Sequence, residues 1–226
     1  MDDDKKNSPD RISPQKATEH PDSAAAVKDN RALLVIDVQN DFCPNGALCV
    51  PEGDHVVPVI NELSKDFSHV IMTQDWHCPG HLSFASSHPG KNAFESVDLS
   101  YGQQILWPDH CIQGSRGAEF HSDLQITHCE LIVRKGYDKN IDSYSAFFEN
   151  DRKTPVGLAG YLRERELKRL FIVGLATDFC VAYTALDARE LGFEVTVIEN
   201  ACRGLNVDGS LDTAWQKMCT VGVHRV

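Results

Sequence analysis

The sequence predicts an α/β fold: a single domain on a mostly parallel sheet of about six strands, helices on both faces, a Rossmann-like three-layer sandwich. Three observations predict it. Short, continuous apolar runs recur along the chain, as expected of strands buried on both faces. Helical patterns fill the gaps between them. Reactive residue types follow directly after the runs, at what would be the carboxyl ends of the strands, where open α/β sheets build their sites.

Ala32-Leu33-Leu34-Val35-Ile36 is the first run and ends at Asp37. Val56, Ile60, Leu63 and Phe67 then share a helical face, with Pro58 in the first turn. The second run, His69 to Thr73, leads into Asp75-Trp76-His77. A long stretch rich in His, Pro, Gly and Ser runs from Asp75 to Cys129, and a connection of that length points to function. Leu131-Ile132-Val133 precedes Lys135-Gly136. A helix is expected over Gly157 to Lys168, and Leu170 to Gly174 is the fourth strand, followed by Ala176-Thr177-Asp178-Phe179-Cys180. Val181, Thr184, Ala185, Ala188 and Leu191 line a helix that Gly192 closes. Val195 to Ile198 is a fifth strand, and Thr220 to Val223 is read as a short sixth. Residues 1–30 lack periodicity and read as a disordered leader or expression remnant, with one folded unit over 31–226.

Composition narrows the function. A formal net charge of −11 argues against nucleic-acid or anionic-membrane partners. No stretch approaches the roughly 18 apolar residues of a membrane span. The start, MDDDKKNSPDRISPQK, has no apolar segment of the signal-peptide kind. The expected location is therefore the cytoplasm, with reduced thiols. None of the eight cysteines forms a C-x-x-C pair, so most are expected to be small buried hydrophobes.

Cys180 stands apart because it follows a strand and opens a helix. Helix N-terminal N–H groups and dipole stabilise a thiolate, pulling its pKa below about 8.5, and can receive an oxyanion. Asp37 and Lys135 end buried strands, where each charge is costly unless paired. Together they can flank the thiol, Asp37 as proton acceptor and Lys135 as the cation; the bland alternative is a structural ion pair. Asp75 and His77, two apart at a strand end, point to one side. His110, in Trp107-Pro108-Asp109-His110-Cys111, can supply a third ligand. One carboxylate and two imidazoles suit Zn, Mn or Fe(II). His81 is a further ligand or a neighbour of the set.

The segments LLVIDVQNDFCPNGAL (33–48), TQDWHCPGHLSFAS (73–86), LWPDHCIQGSRGAEFH (106–121), VRKGYDKNIDSYSAFFEN (133–150) and VGLATDFCVAYTALDARELGFEV (173–195) together resemble the nicotinamidases of the isochorismatase-like cysteine hydrolase superfamily. The resemblance implies a catalytic triad of Asp37, Lys135 and Cys180. It implies one divalent metal ion, zinc first and Mn or Fe as alternatives, on Asp75, His77 and His110. Phe42, Trp107 and Tyr144 would line a nicotinamide pocket. A cis peptide joining Leu175 and Ala176 would aim the Ala176 N–H, beside that of Cys180, at an oxyanion. The implied reaction is hydrolysis of nicotinamide to nicotinate and ammonia through a Cys180 thioester, in NAD salvage, with nicotinamide as the only expected small-molecule partner. Edge strands and loops permit a homo-oligomer. Three other readings stand beside it: a related cysteine amidase or ureide hydrolase, a two-histidine, one-carboxylate Fe(II) oxygenase, and a non-catalytic metal- or ligand-binding protein.

Overall fold

In the computed structural model, which describes residues 29–226, the first five apolar runs fall in strands. In chain order the strands are β1 (Arg31–Ile36), β2 (Val70–Asp75), β3 (Ser96–Leu99), β4 (Gly102–Ile105), β5 (Cys129–Lys135), β6 (Arg169–Leu175), β7 (Glu194–Arg203) and β8 (His224–Arg225). The helices are α1 (Val56–Leu63), α2 (Leu158–Glu164), α3 (Ala182–Glu190) and α4 (Ser210–Thr220). The reading of residues 1–30 as a leader lies outside the described residues, apart from Asp29 and Asn30.

Six strands form one sheet in the order β5-β2-β1-β6-β7-β8. Every pairing in it is parallel. β1 sits in the middle, and Ala32 to Ile36 are fully buried. Burying each such aliphatic side chain is worth roughly 1.5–3 kcal/mol, which is why this strand reads as an unbroken apolar run. β5 lies at an edge, and there the pattern alternates, with Glu130 and Arg134 facing outward. The connection from β1 to β2 moves one way along the sheet and that from β6 to β7 the other. Right-handed crossovers therefore put α1 and α3 on opposite faces. The order reverses between β1 and β6, and the crevice beyond their carboxyl ends is the switch point where such folds bind ligands.

Close contact of β1 and β6 has a local cause. Gly174 takes φ +115°, and a Cβ there would stand 2.1 Å from the Ile36 carbonyl oxygen. Only glycine permits this approach.

Four elements differ from the sequence reading. The sixth strand is His224–Arg225, not residues 220–223: α4 runs through Thr220, and Gly222, at φ +80°, turns the chain before the strand starts. α4 itself has no counterpart in the sequence reading. α2 stops at Glu164, short of Lys168, and Glu166 takes a left-handed φ of +60°. The long 75–129 connection contains a separate antiparallel hairpin, β3 with β4.

Candidate active site

Asp37, Lys135 and Cys180 meet at the switch point. Asp37 follows β1 at a left-handed φ of +46° and is fully buried. Thr73 of β2 fixes its orientation: the Thr73 hydroxyl donates to Asp37 Oδ1 at 2.6 Å and accepts the Asp37 N–H at 3.1 Å. Lys135 ends β5, also fully buried. Its ammonium donates to Asp75 Oδ1 at 3.0 Å, to the Ser143 carbonyl at 2.9 Å and to Cys180 Sγ at 3.4 Å. An ammonium has three protons. Asp37 Oδ2, 2.9 Å from the same nitrogen, is its ion-pair partner and a fourth claimant on those protons. Among the described residues this buried oxygen has no hydrogen-bond partner.

Burial sets the protonation states. It pushes the Cys180 thiol well above its ordinary value, although Lys135 works in the opposite direction. It also raises the Asp37 carboxyl, again against Lys135. Burial opposes the Lys135 charge, but Asp37 and Asp75 outweigh it and keep the ammonium protonated. This corrects one expectation: the thiol is not a standing thiolate. Cys180 lies inside a five-residue π-helical turn, Thr177–Val181, ahead of α3, and desolvation there exceeds the effect of the helix end. All eight cysteines are free, and burial likewise raises Cys43, Cys111, Cys129 and Cys202.

Asp75, His77 and His110 converge beside the triad, with one ligand atom from each inside 4.8 Å of the others. His77 Nδ1 lies 2.9 Å from the Gly136 carbonyl, and His110 Nδ1 2.8 Å from that of Pro108. A carbonyl only accepts, so each Nδ1 carries the proton and each Nε2 presents a lone pair. Both Nε2 atoms face Asp75 Oδ2, at 3.1 and 3.4 Å. Three acceptors turned toward one another require a cation between them. Without an ion a proton serves: burial opposes it, but Asp75 raises His77 to about 9. Asp142 Oδ1 is 3.8 Å from His77 Nε2. Three buried carboxylates, Asp37, Asp75 and Asp142, against one ammonium leave a formal −2, which a divalent ion balances. The residues present fit such an ion.

His81 is not part of that set. Its Nε2 meets the Asp138 carbonyl at 2.6 Å, and its Nδ1 takes the Ser83 N–H at 3.1 Å. Both nitrogens are spent on pinning the loop.

A narrow cleft opens over these groups, lined by Phe42, Trp107, Tyr144, Ala176 and Cys180 among others. Trp107 Nε1 donates to the Tyr144 hydroxyl at 3.1 Å. The Leu175–Ala176 peptide is cis. Leu175 does not line the cavity: one residue from Ala176 along the chain, its side chain is fully buried and faces Gly53 instead. Sequence reasoning missed Leu48, Asp142, Phe179 and Leu205, which also line it. Asp142 was within reach, as a lone acid in an otherwise uncharged Ile-Asp-Ser-Tyr-Ser-Ala-Phe segment. Leu205 carries no local signal.

The polar residues after β1 have structural tasks. Gln39 Nε2 donates to the Asp75 and Ala118 carbonyls, and its Oε1 accepts the Asp75 N–H. Asp41 Oδ2 accepts the Cys111 N–H at 2.7 Å, one residue from His110. They tie the long loop, and His110 with it, to the end of the central strand.

The geometry has counterparts. The family described as Isochorismatase domain matches residues 31–224. A nicotinamidase of Acinetobacter baylyi is 52% identical over 198 residues, 88% of this chain and 92% of that protein. The structure of an Acinetobacter baumanii nicotinamidase and pyrazinamidase superposes with a TM-score of 0.87 at 55% identity, over 87% of this chain and 95% of that one. The crystal structure of a Pyrococcus horikoshii pyrazinamidase in complex with zinc gives 0.70 at 35% identity, over 87% of this chain and 98% of the other. On this fold, with this cavity at its switch point and a match along nearly all of the described residues, the chain belongs to the isochorismatase family.

Proposed function

We propose that this chain hydrolyses nicotinamide to nicotinate and ammonia through a Cys180 thioester, as a cytoplasmic enzyme of NAD salvage. Asp37, Lys135 and Cys180 are its catalytic residues. Asp75, His77 and His110 are its ligands for one divalent ion, which we take to be zinc. The observation that carries the reading is the bare acceptor Asp37 Oδ2, held against the ammonium that touches Cys180 Sγ, beside a three-donor metal site. The names and the zinc of the relatives support it. Among the described residues no helix is long and apolar enough to cross a membrane, in keeping with that location.

An ion held by Asp75, His77 and His110 would supply a Lewis acid beside the substrate. The chain does the rest. Phe42, Trp107 and Tyr144 enclose the aromatic ring. Asp37 Oδ2 takes the proton of the Cys180 thiol as sulfur attacks the carboxamide carbon. The backbone N–H groups of Ala176 and Cys180 hold the oxyanion. Lys135 steadies the anion left at each stage. As the C–N bond breaks, Asp37 returns its proton to the departing ammonia. Asp37 then takes a proton from water, which attacks the thioester; the C–S bond breaks, nicotinate leaves and the thiol is restored. Because burial keeps Cys180 protonated, deprotonation accompanies attack rather than preceding it. A related amidase with another substrate fits less well, since the metal donor set would then have no task.

Ammonia release from nicotinamide tests this directly. Cys180→Ala should bind nicotinamide and release no ammonia. Chelation should remove the wild-type activity and zinc should restore it. Turnover by Cys180→Ala, or full activity after verified metal removal, would overturn the scheme.

A further inference from the structure

Asp178 is a buried acid in the same five-residue turn as Cys180, and the mechanism does not use it. Its carboxylate is nonetheless fully engaged. Oδ1 accepts the Leu205 N–H at 3.0 Å. Oδ2 accepts the Asn206 N–H at 2.8 Å and the Ser210 hydroxyl. All three donors come from the segment 205–210, which follows β7 and leads into α4. That segment has an awkward backbone: Asn206 and Asp208 take left-handed φ values of +56° and +49°. A charged acceptor receiving several hydrogen bonds is what holds such a path in place. Gly204 brings it close enough: a Cβ there would lie 2.8 Å from Leu211 and 3.1 Å from Asp178 Oδ1. Leu205, the first residue held, lines the cavity together with Phe42, Trp107 and Phe179.

We propose that Asp178 is a positioning residue for the substrate: it latches the segment 205–210 onto the nucleophile turn, and so fixes Leu205 as a wall of the cavity at a set distance from Cys180. The acid never touches the substrate. It registers two parts of the chain, the turn after β6 and the loop after β7, against each other. Apolar contact with the aromatic ring then depends on a polar contact outside the cavity. The inference rests on the nicotinamide reading, and the experiment separates the two.

Steady-state kinetics on zinc-loaded enzyme with nicotinamide would be measured for wild type, Ser210→Ala, Leu205→Ala and the double variant. Ser210→Ala removes one latch donor and leaves the nucleophile turn untouched. It should raise KM about threefold or more and change kcat less than about twofold. In the Leu205→Ala background the same substitution should have no further effect, because the wall it positions is gone. Asp178→Asn puts an N–H where an acceptor is needed. It should raise KM more steeply, and again only when Leu205 is present. If Asp178→Asn does not fold, the Ser210 and Leu205 cycle decides alone. Equal effects of Ser210→Ala in both backgrounds, or a lowered Tm with KM unchanged, would overturn the latch. A wild-type enzyme that releases no ammonia would instead overturn the functional reading, through a measurement the latch does not enter.

Discussion

At the scale of single residues, the site depends on counting protons against acceptors. Lys135 has three protons and four anionic or polar neighbours, so its protons are shared among them. Asp37 Oδ2 has no partner beyond its ion pair with Lys135, which leaves it a lone pair to take a proton from sulfur or water. Thr73 holds the other oxygen, so the free one is aimed rather than loose. Asp37→Asn preserves the shape and the Thr73 contact but removes the basic oxygen. It should lower kcat by about 10²–10⁴-fold, the usual worth of a positioned general base. Single-turnover ammonia release checks this. A fall of less than about tenfold would mean that another group accepts the thiol proton. These residues were legible in the sequence because each is a charge or a nucleophile placed where a buried strand ends. Leu48, Phe179 and Leu205 were not, because apolar cavity walls look like any other core residue until the loops are folded.

At the scale of elements, the strands were legible and the connections were not. β1 and β6 are buried on both faces over most of their length and read as apolar runs, and β2 reads as one through Met72. α4 buries only Ala214, Trp215 and Met218 among its eleven residues, too thin a stripe to announce a helix. β3 and β4 carry mostly polar, half-exposed residues and pair only with each other, which reads as loop. The contact between β1 and β6 matters most to the site, because it sets Asp37 and Cys180 side by side. Gly174 is its tightest point. Gly174→Ala would drive a methyl group into the Ile36 carbonyl in a backbone region that alanine avoids. A loss of about 2–4 kcal/mol in unfolding free energy is expected, in the upper range for single substitutions. Urea denaturation of the zinc-loaded protein would measure it. A loss under about 0.5 kcal/mol, typical of an inert surface change, would show that the two strands can separate freely there.

At the scale of the whole molecule, the protein buries several carboxyl groups, and some of them have a cation beside them. Asp75 has Lys135 and the histidines, and Asp187 has Arg152. Glu149 does not. It is 1% exposed, its Oε2 lacks a hydrogen-bond partner among the described residues, and burial pushes its carboxyl up to about 7 against the bond from Ser143. The consequence for stability follows from linkage. An acid with a folded pKa near 7 and an unfolded value of 4.5 binds more protons folded than unfolded between those two values. Stability contributed by Glu149 is therefore present below about pH 4.5 and lost as pH rises toward 7, then flat above it. At 1.36 kcal/mol per unit this is about 3 kcal/mol at most. Glu149→Gln keeps the volume and cannot ionise, so it removes this pH dependence and leaves that of every other group in place. Unfolding free energies of wild type and variant at pH 5 and pH 7.5 should show the wild type losing more across the interval, by about 1–3 kcal/mol. Parallel profiles for the two proteins would mean that the Glu149 carboxyl ionises normally in the fold, and that water or a local opening of the 143–149 segment compensates the charge that its surroundings leave bare.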